Sequence, residues 1–215
     1  MEAKKLVTSL VLGPYTLRNR ILMAPLTRTR AGDRNVPREM NVEYYRQRAT
    51  AGLIITEATS VSPFGYGYWG TPGIHTEEQR DAWKQITDAV HEEGGLIFLQ
   101  LWHVGRISHQ DLQPGGVLPV SASAIRPKGS ALTSDGLKPH PTPRALRTDE
   151  IASVIGDYRR GAQLSMEAGF DALRCMGPMA IYQTNFSIVV RTTGLTIGAD
   201  QSRIARVFFS RLPTL

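Results

Sequence analysis

The chain has 215 residues, of which 41% are hydrophobic and 20% are charged, a composition typical of one soluble globular domain. No apolar run approaches the roughly 20 residues that cross a bilayer, and no signal-type apolar block follows Met1. We therefore expect a cytoplasmic protein without a membrane segment. The single cysteine, Cys175, excludes an internal disulfide and a thiolate cluster for a metal. We expect no metal site, and redox chemistry would need a bound cofactor.

The formal net charge of +6 raises the question of a nucleic-acid partner. Most of the excess lies after Asp171, where five arginines accompany a single acidic residue, Asp200. That segment has no basic face interleaved with aromatic residues and no recognised binding motif. We therefore expect no nucleic-acid partner.

The first quarter of the chain predicts a hairpin followed by a strand, a helix and a second strand. Residues 6–20 alternate apolar and polar side chains around Gly13, which is typical of a hairpin. Residues 21–25 form a short apolar run that ends at a proline, as a buried parallel strand does before a functional loop. A helix is predicted over residues 41–51, and a second buried strand begins at Leu53 and ends in Thr-Glu-Ala.

The next helix has a clear start signal. Thr76 is followed three residues later by Gln79, the spacing of a capping box. The apolar side chains then recur at helical spacing, at Trp83, Ile86 and Val90, until Gly94 ends the helix. Residues 96–101 are predicted to form the third strand.

Residues 104–147 are rich in Pro, Gly and Ser, and a loop of that length is usually functional. A helix opens at Thr148, and a fourth strand is predicted from Phe170. The helix has one apolar face, formed by Ile151, Ile155, Tyr158 and Ala162. The alternation of strands and helices predicts an α/β fold with parallel strands, which fits both a (β/α)8 barrel and a doubly wound sheet. No G-x-G-x-x-G string follows the first strand, which argues against a dinucleotide-binding doubly wound sheet.

Five strings carry a resemblance to a known family: RNRILMAPLTR, TEATSVSP, GYGYWGTPGI, FLQLWHVGRISH and AGFD. In this order and spacing they resemble the old yellow enzyme family of flavin mononucleotide (FMN) ene-reductases, in particular its N-ethylmaleimide and xenobiotic reductase branch. The resemblance runs from about residue 6 to residue 171. It implies a (β/α)8 (TIM) barrel, truncated here to its first half, with about four strands.

The resemblance also implies roles for individual residues, each at the end of a predicted strand, where barrel active sites lie. Pro25, Leu26 and Thr27 would line the isoalloxazine ring of non-covalently bound FMN, with the Thr27 hydroxyl on a ring carbonyl. Ala58 would contact the flavin near its hydride-carrying nitrogen, and Gln100 would pair with the pyrimidine edge. Two aromatic residues, Tyr68 and Trp102, would form the wall for a small-molecule substrate. NADPH or NADH would supply the hydride.

The residues alone also allow simpler interpretations. A threonine after a proline often only shapes a turn, and Tyr68 and Trp102 could be packing residues. Gln100 is harder to explain without a ligand, because a buried amide needs hydrogen-bond partners. His103 and Arg106 could simply hold the long loop in place.

The resemblance stops after Asp171. The family continues with a string of the H-G-A-N-G-Y type, whose His and Asn bind the substrate carbonyl and whose Tyr protonates the substrate. This chain instead reads ALRCMGPMAIYQTNF, so we assign no catalytic residue.

The genetic code offers an explanation. When the third base of each codon is read with the first two of the next, Cys175 and Met176 yield His or Tyr, Met176 and Gly177 yield Gly, and Met179 and Ala180 yield Gly. Permitted third bases elsewhere give V-E-V-H-G-A-N-G-Y-L. Our hypothesis is a frameshift near codon 171 or 172. Residues 1–171 would then be the N-terminal half of an FMN-binding barrel domain, and residues 172–215 an out-of-frame tail.

Two functions from different classes remain. In the first, the chain represents an FMN-dependent NAD(P)H oxidoreductase that reduces activated C=C bonds of enones or maleimides, or nitro compounds. Alternatively, it is an inactive truncated fragment that lacks the FMN phosphate site and the substrate-binding His-Asn pair. A barrel hydrolase is a weaker third interpretation, since no paired carboxylates or nucleophile-base set follow the strands. The oligomeric state stays open.

Overall fold

The computed structural model describes residues 3–176 and 187–191. The chain begins with α1 (Ala3–Leu6), β1 (Leu10–Leu12) and β2 (Tyr15–Leu17). It continues through β3 (Leu22–Met23), α2 (Glu39–Arg46), β4 (Leu53–Ser60), α3 (Glu77–Glu92) and β5 (Ile97–Trp102). Four short strands follow, namely β6 (Val120–Ser121), β7 (Ser130–Thr133), β8 (Gly136–Pro139) and β9 (Arg144–Ala145). The last elements are α4 (Ile151–Glu167), β10 (Ala172–Met176) and β11 (Ser187–Arg191).

The main sheet consists of parallel strands in chain order. β3 pairs with β4, β4 with β5 and β5 with β10, all parallel, and β11 adds to β10 antiparallel. A doubly wound sheet would reverse the strand order at its switch point and place helices on both faces. Here the order does not reverse, and α2, α3 and α4 contribute to one core on one face. The fold is therefore the first half of a (β/α)8 barrel, as predicted.

Alternation along the strands separates the two faces of the sheet. Ile97, Leu99 and Leu101 of β5 point to the helices, where they pack in one buried cluster with Trp83. Phe98 points to the opposite face, where the N-terminal hairpin covers it; the ring of Tyr15 lies edge-on at a centroid distance of 5.4 Å. Gln100 follows Phe98 at the same spacing of two residues. Gln100 thus lies on the same face as Phe98, which we call the inner face because it is opposite the helices.

Several elements match their sequence predictions, and others differ. The hairpin turns at Gly13, whose φ of +58° suits glycine, and α3 carries the Thr76–Gln79 capping box. The predicted strand at residues 21–25 is shorter, since only Leu22 and Met23 pair with β4. The helix predicted over 41–51 begins and ends earlier, at Glu39 and Arg46.

The apolar face predicted for α4 is wrong in its first two turns. Ile151 and Ile155 are 48% and 45% exposed, whereas Leu164 is fully buried. The helix meets the core only from Tyr158 onward. Gly161 permits this contact, because a Cβ there would lie 3.0 Å from Cγ1 of Val61. The second half of the predicted face, at Tyr158 and Ala162, therefore packs on the core next to Gly161, and the isoleucines do not.

The predicted boundary at residue 171 falls at the start of β10. Ala172 and Leu173 are buried and pair with Phe98 and Leu99 of β5, so this segment occupies the fourth strand position. Residues 177–186 and 192–215 lie outside the described residues. The out-of-frame tail therefore stays a prediction. Within the described part of the chain, no helix is both long enough and apolar enough to cross a membrane.

Trp83 should contribute much of the stability of the outer core. Its side chain is fully buried, its Nε1 donates to the Gly73 carbonyl at 3.0 Å, and its ring meets Phe170 edge-on at 5.5 Å. We expect Trp83→Ala to lower the free energy of unfolding by about 3–5 kcal/mol. Urea denaturation followed by far-ultraviolet circular dichroism measures this. The control is Trp69→Ala, because Trp69 is 55% exposed; equal losses in both variants would contradict the assignment.

A pH-dependent contribution to stability should come from His91. Its Nε2 lies 3.1 Å from Oδ2 of Asp171, and this hydrogen bond raises the pKa of His91 above its usual value of 6.5. The folded state therefore binds the proton more tightly. Its stabilisation is full below about pH 6.5 and is lost as pH rises through the folded pKa. We expect the difference in unfolding free energy between wild type and His91→Gln to shrink as pH rises from about 5.5 to 8.5. A difference that is constant across this range would contradict the prediction.

Candidate flavin site at the strand ends

The candidate site lies where β3, β4 and β5 end side by side. Because the strands are parallel and adjacent, the residues that follow them meet at one edge of the sheet. The ladder between β4 and β5 shifts register between Ile55 and Ala58, so that one extra residue of β4 fits opposite Phe98 and Gln100. This is a β-bulge, a feature that often re-aims side chains beside active sites. It places Ala58 opposite Gln100.

Gln100 is the most informative residue of this edge. It is 4% exposed, and its backbone N–H donates to Oγ1 of Thr56 at 3.1 Å. Its side-chain Oε1 is buried and has no hydrogen-bond partner among the described residues. An unpaired buried amide oxygen costs free energy, so it calls for an explanation such as a ligand that donates to it.

The segment after β3 is largely open to solvent. Pro25 is partly buried, whereas Leu26 and Thr27 are exposed. The next residue, Arg28, is fixed to the sheet, because its backbone N–H donates to Oε2 of Glu57 at 2.9 Å. The three residues predicted to line a flavin thus form a largely accessible strip at the end of β3, next to β4, which carries Ala58; Gln100 lies one strand farther, on β5.

Tyr68 and Trp102 come together above the strand ends. Their rings stack with a centroid distance of 6.0 Å and an interplanar angle of 26°. Both pack with Ala58 in a small apolar cluster. Nε1 of Trp102 is buried and unpaired within the described residues. Gly67, which precedes Tyr68, lets its segment lie against the start of the long loop, since a Cβ there would lie 2.5 Å from the Ile107 carbonyl oxygen.

The predicted long loop contains two small sheets. β6 pairs with β9, and β7 and β8 form a hairpin that reaches the site through a bridge between Tyr68 and Leu132. The backbone N–H of Trp69 donates to the Leu132 carbonyl at 2.9 Å. The hairpin is therefore part of the wall that Tyr68 and Trp102 form.

His103 and Arg106 make contacts within this part of the fold. His103 is 4% exposed, its Nδ1 accepts from the Gly105 N–H at 3.1 Å, and burial lowers its pKa to about 4. Arg106 donates to the Oγ atoms of Ser121 and Ser123, both at 3.0 Å. These bonds hold the long loop, as the simpler interpretation allowed.

The sequence prediction did not identify Glu57 and Tyr45. Glu57 is 1% exposed, and burial raises the pKa of its carboxyl group. The Tyr45 hydroxyl, also fully buried, accepts from the Glu57 N–H at 3.0 Å and lies 3.4 Å from Oε1 of the same residue. The sequence did offer one signal for Glu57, namely a glutamate within an apolar, buried strand. A buried carboxylate needs partners, so its position predicts specific contacts.

A second cleft, of about 860 Å³, shares Tyr68 with the candidate site. Its wall carries equal numbers of basic and acidic side chains, Arg30, Arg34, Arg38, Asp33, Glu78 and Asp111. Balanced charge gives it no preference for an ionic ligand. The strand ends therefore remain the better candidate site.

Comparison with known proteins identifies the family of the chain. The family model described as "NADH:flavin oxidoreductase / NADH oxidase family" matches residues 5–183. 12-Oxophytodienoate reductase 1 of Oryza sativa subsp. japonica is 47% identical over 175 residues, which is 80% of this chain and 44% of that protein. Putative 12-oxophytodienoate reductase-like protein 1 of Arabidopsis thaliana is 46% identical over 164 residues, 76% of this chain and 49% of that protein.

Solved structures with a similar fold come from the same kind of enzyme. Morphinone reductase in complex with tetrahydroNAD superimposes with a TM-score of 0.76 at 50% identity, covering 79% of this chain and 48% of that one. The old yellow enzyme homologue from Zymomonas mobilis gives a TM-score of 0.76 at 47% identity, covering 80% of this chain and 48% of that one. The chain spans about half the length of these relatives. By sequence and fold it belongs to the NADH:flavin oxidoreductase family, to which the old yellow enzymes belong.

Proposed function

We propose that this chain represents a cytoplasmic FMN-dependent NAD(P)H oxidoreductase that reduces activated C=C bonds of enones or maleimides, or nitro compounds. The observation that carries the proposal is the buried, unpaired Oε1 of Gln100, directly opposite Ala58 in the ladder. Since the chain belongs to a family of flavin oxidoreductases, a donor on the pyrimidine edge of a bound flavin would satisfy this oxygen.

The residues at the strand ends fit a flat ring. Pro25, Leu26 and Thr27 offer an open strip along one side, and the Thr27 hydroxyl is exposed for a ring carbonyl. Ala58 has a small side chain and lies opposite Gln100 in the ladder, between the strip and β5. When bound, FMN would supply the hydride chemistry, while the protein would bind and orient the ring.

The substrate and the hydride donor would meet the stacked pair of Tyr68 and Trp102. The unpaired Nε1 of Trp102 is a donor that a carbonyl or nitro oxygen would accept from. Two relatives are named as reductases of 12-oxophytodienoate and morphinone, both ketones by name. Morphinone reductase also binds tetrahydroNAD, which supports NADH or NADPH as the donor.

The second candidate is a chain without catalysis. Phosphate sites of (β/α)8 barrels typically lie after strands seven and eight, and the chain covers about half of its relatives. The H-G-A-N-G-Y string is also missing after Asp171. The proposed frameshift connects the two candidates: the intact reading frame encodes the enzyme, and the present one encodes a fragment.

Resequencing the gene through codons 165–180 tests the frameshift. We expect one base to be added or missing, so that the corrected frame reads H-G-A-N-G-Y and continues into the rest of a barrel. An unchanged sequence would contradict the frameshift and favour the inactive fragment.

Flavin titration tests the site. Because the chain spans about half the length of its relatives and barrel phosphate sites typically follow strands seven and eight, we expect the purified chain to be colourless and to bind added FMN only weakly. Gln100→Leu, which keeps the volume but removes the amide, should weaken binding about tenfold, since it removes a buried hydrogen bond. Fluorescence quenching of FMN measures both dissociation constants.

The control for this experiment is Gln163→Leu, an exposed position on α4 that should leave FMN binding unchanged. Equal dissociation constants for wild type and Gln100→Leu would contradict the assignment of Gln100.

A further inference from the structure

We propose that Glu57 is a positioning residue, which holds the flavin-facing strip at Pro25–Thr27 in place through a hydrogen bond to the backbone of Arg28. This inference rests on the proposed flavin site. It assigns a role to a buried acid that the flavin contacts do not use. The geometry of three elements supports it.

The first support is the bulge in β4. Glu57 lies within the register shift between Ile55 and Ala58, so it does not follow the ordinary alternation of the strand. Its Oε2 accepts from the Arg28 N–H at 2.9 Å. The bulge therefore links Ala58, which faces the proposed flavin, and the strip after β3 through one side chain.

The second support is the contact with α2. The Tyr45 hydroxyl accepts from the Glu57 N–H at 3.0 Å and lies 3.4 Å from Oε1. Both side chains are almost fully buried. Each oxygen of the carboxylate thus has a hydrogen-bond partner, Oε2 at the Arg28 N–H and Oε1 at the Tyr45 hydroxyl. These contacts restrict movement of the carboxylate away from the Arg28 N–H.

The third support is the side chain of Arg28. Its guanidinium lies over the Tyr44 ring, 5.6 Å from the centroid, and Arg48 lies over the same ring at 3.9 Å. The segment after β3 is thereby attached to α2 by the side chain and to β4 by the backbone. Attachment of Arg28 through both its backbone and its side chain would restrict the position of Thr27, the residue before it.

Amide hydrogen exchange on the full 215-residue chain tests the proposal. In Glu57→Ala, we expect the Arg28 amide to exchange about tenfold faster or more, because its acceptor is removed. In Glu57→Gln, the amide oxygen can still accept, so most of the protection should return. The matched control is Glu43→Ala, an exposed carboxylate on α2 that bonds Arg46 and Gln47 instead.

Amide exchange in α3 reports whether each variant is folded. If Glu57→Ala unfolds, the comparison is made between wild type and Glu57→Gln. The proposal would be overturned if the Arg28 amide exchanged at an unchanged rate in a folded Glu57→Ala variant. It would also be overturned if Glu57→Gln lost as much protection of this amide as Glu57→Ala. FMN affinity is measured separately on the same proteins and should fall about tenfold in Glu57→Ala but less in Glu57→Gln. Absence of any FMN binding by the wild-type chain would contradict the proposed flavin site, but it would not contradict the hydrogen bond by which Glu57 holds Arg28.

Discussion

The ladder between β4 and β5, with its one-residue bulge, is the interaction on which the site depends. It brings Ala58 opposite Gln100 and directs the Thr56 hydroxyl to the Gln100 backbone. It also frees Glu57 from the regular pattern, so that its carboxylate reaches the segment after β3. Without the bulge, the residues beyond Ile55 would change faces, because the side chains of a strand alternate.

The rest of the fold keeps this ladder in place from both sides. On the outer face, three helices pack around Trp83 and Leu164 against the strands. On the inner face, the hairpin covers Phe98 near the start of β5, and Gln100 lies farther along the same strand. Apolar packing at one end thus offsets the cost of polar groups at the other. Gln100 Oε1 is buried there without a hydrogen-bond partner among the described residues, and we propose that a ligand supplies one.

Local signals in the sequence predicted most of the fold. The capping box at Thr76 and the apolar stripe that follows it identified α3 almost to the residue, because both signals act within a few residues. The strings at the strand ends led to the family and to the edge where the candidate residues lie. The sequence could not predict features that depend on contacts between distant segments. Glu57 needs Arg28 and Tyr45, and the hairpin of β7 and β8 meets the site through Tyr68.

The central claim is that the ends of β3, β4 and β5 bind the flavin ring. Nuclear magnetic resonance of the ¹⁵N-labelled chain, titrated with excess FMN, tests it most directly because it detects weak binding. The account predicts shifts confined to the strand ends, at Thr27, Ala58 and both the backbone and side-chain amides of Gln100. Shifts at the cleft around Arg34 instead, or no shifts at saturating FMN, would contradict it.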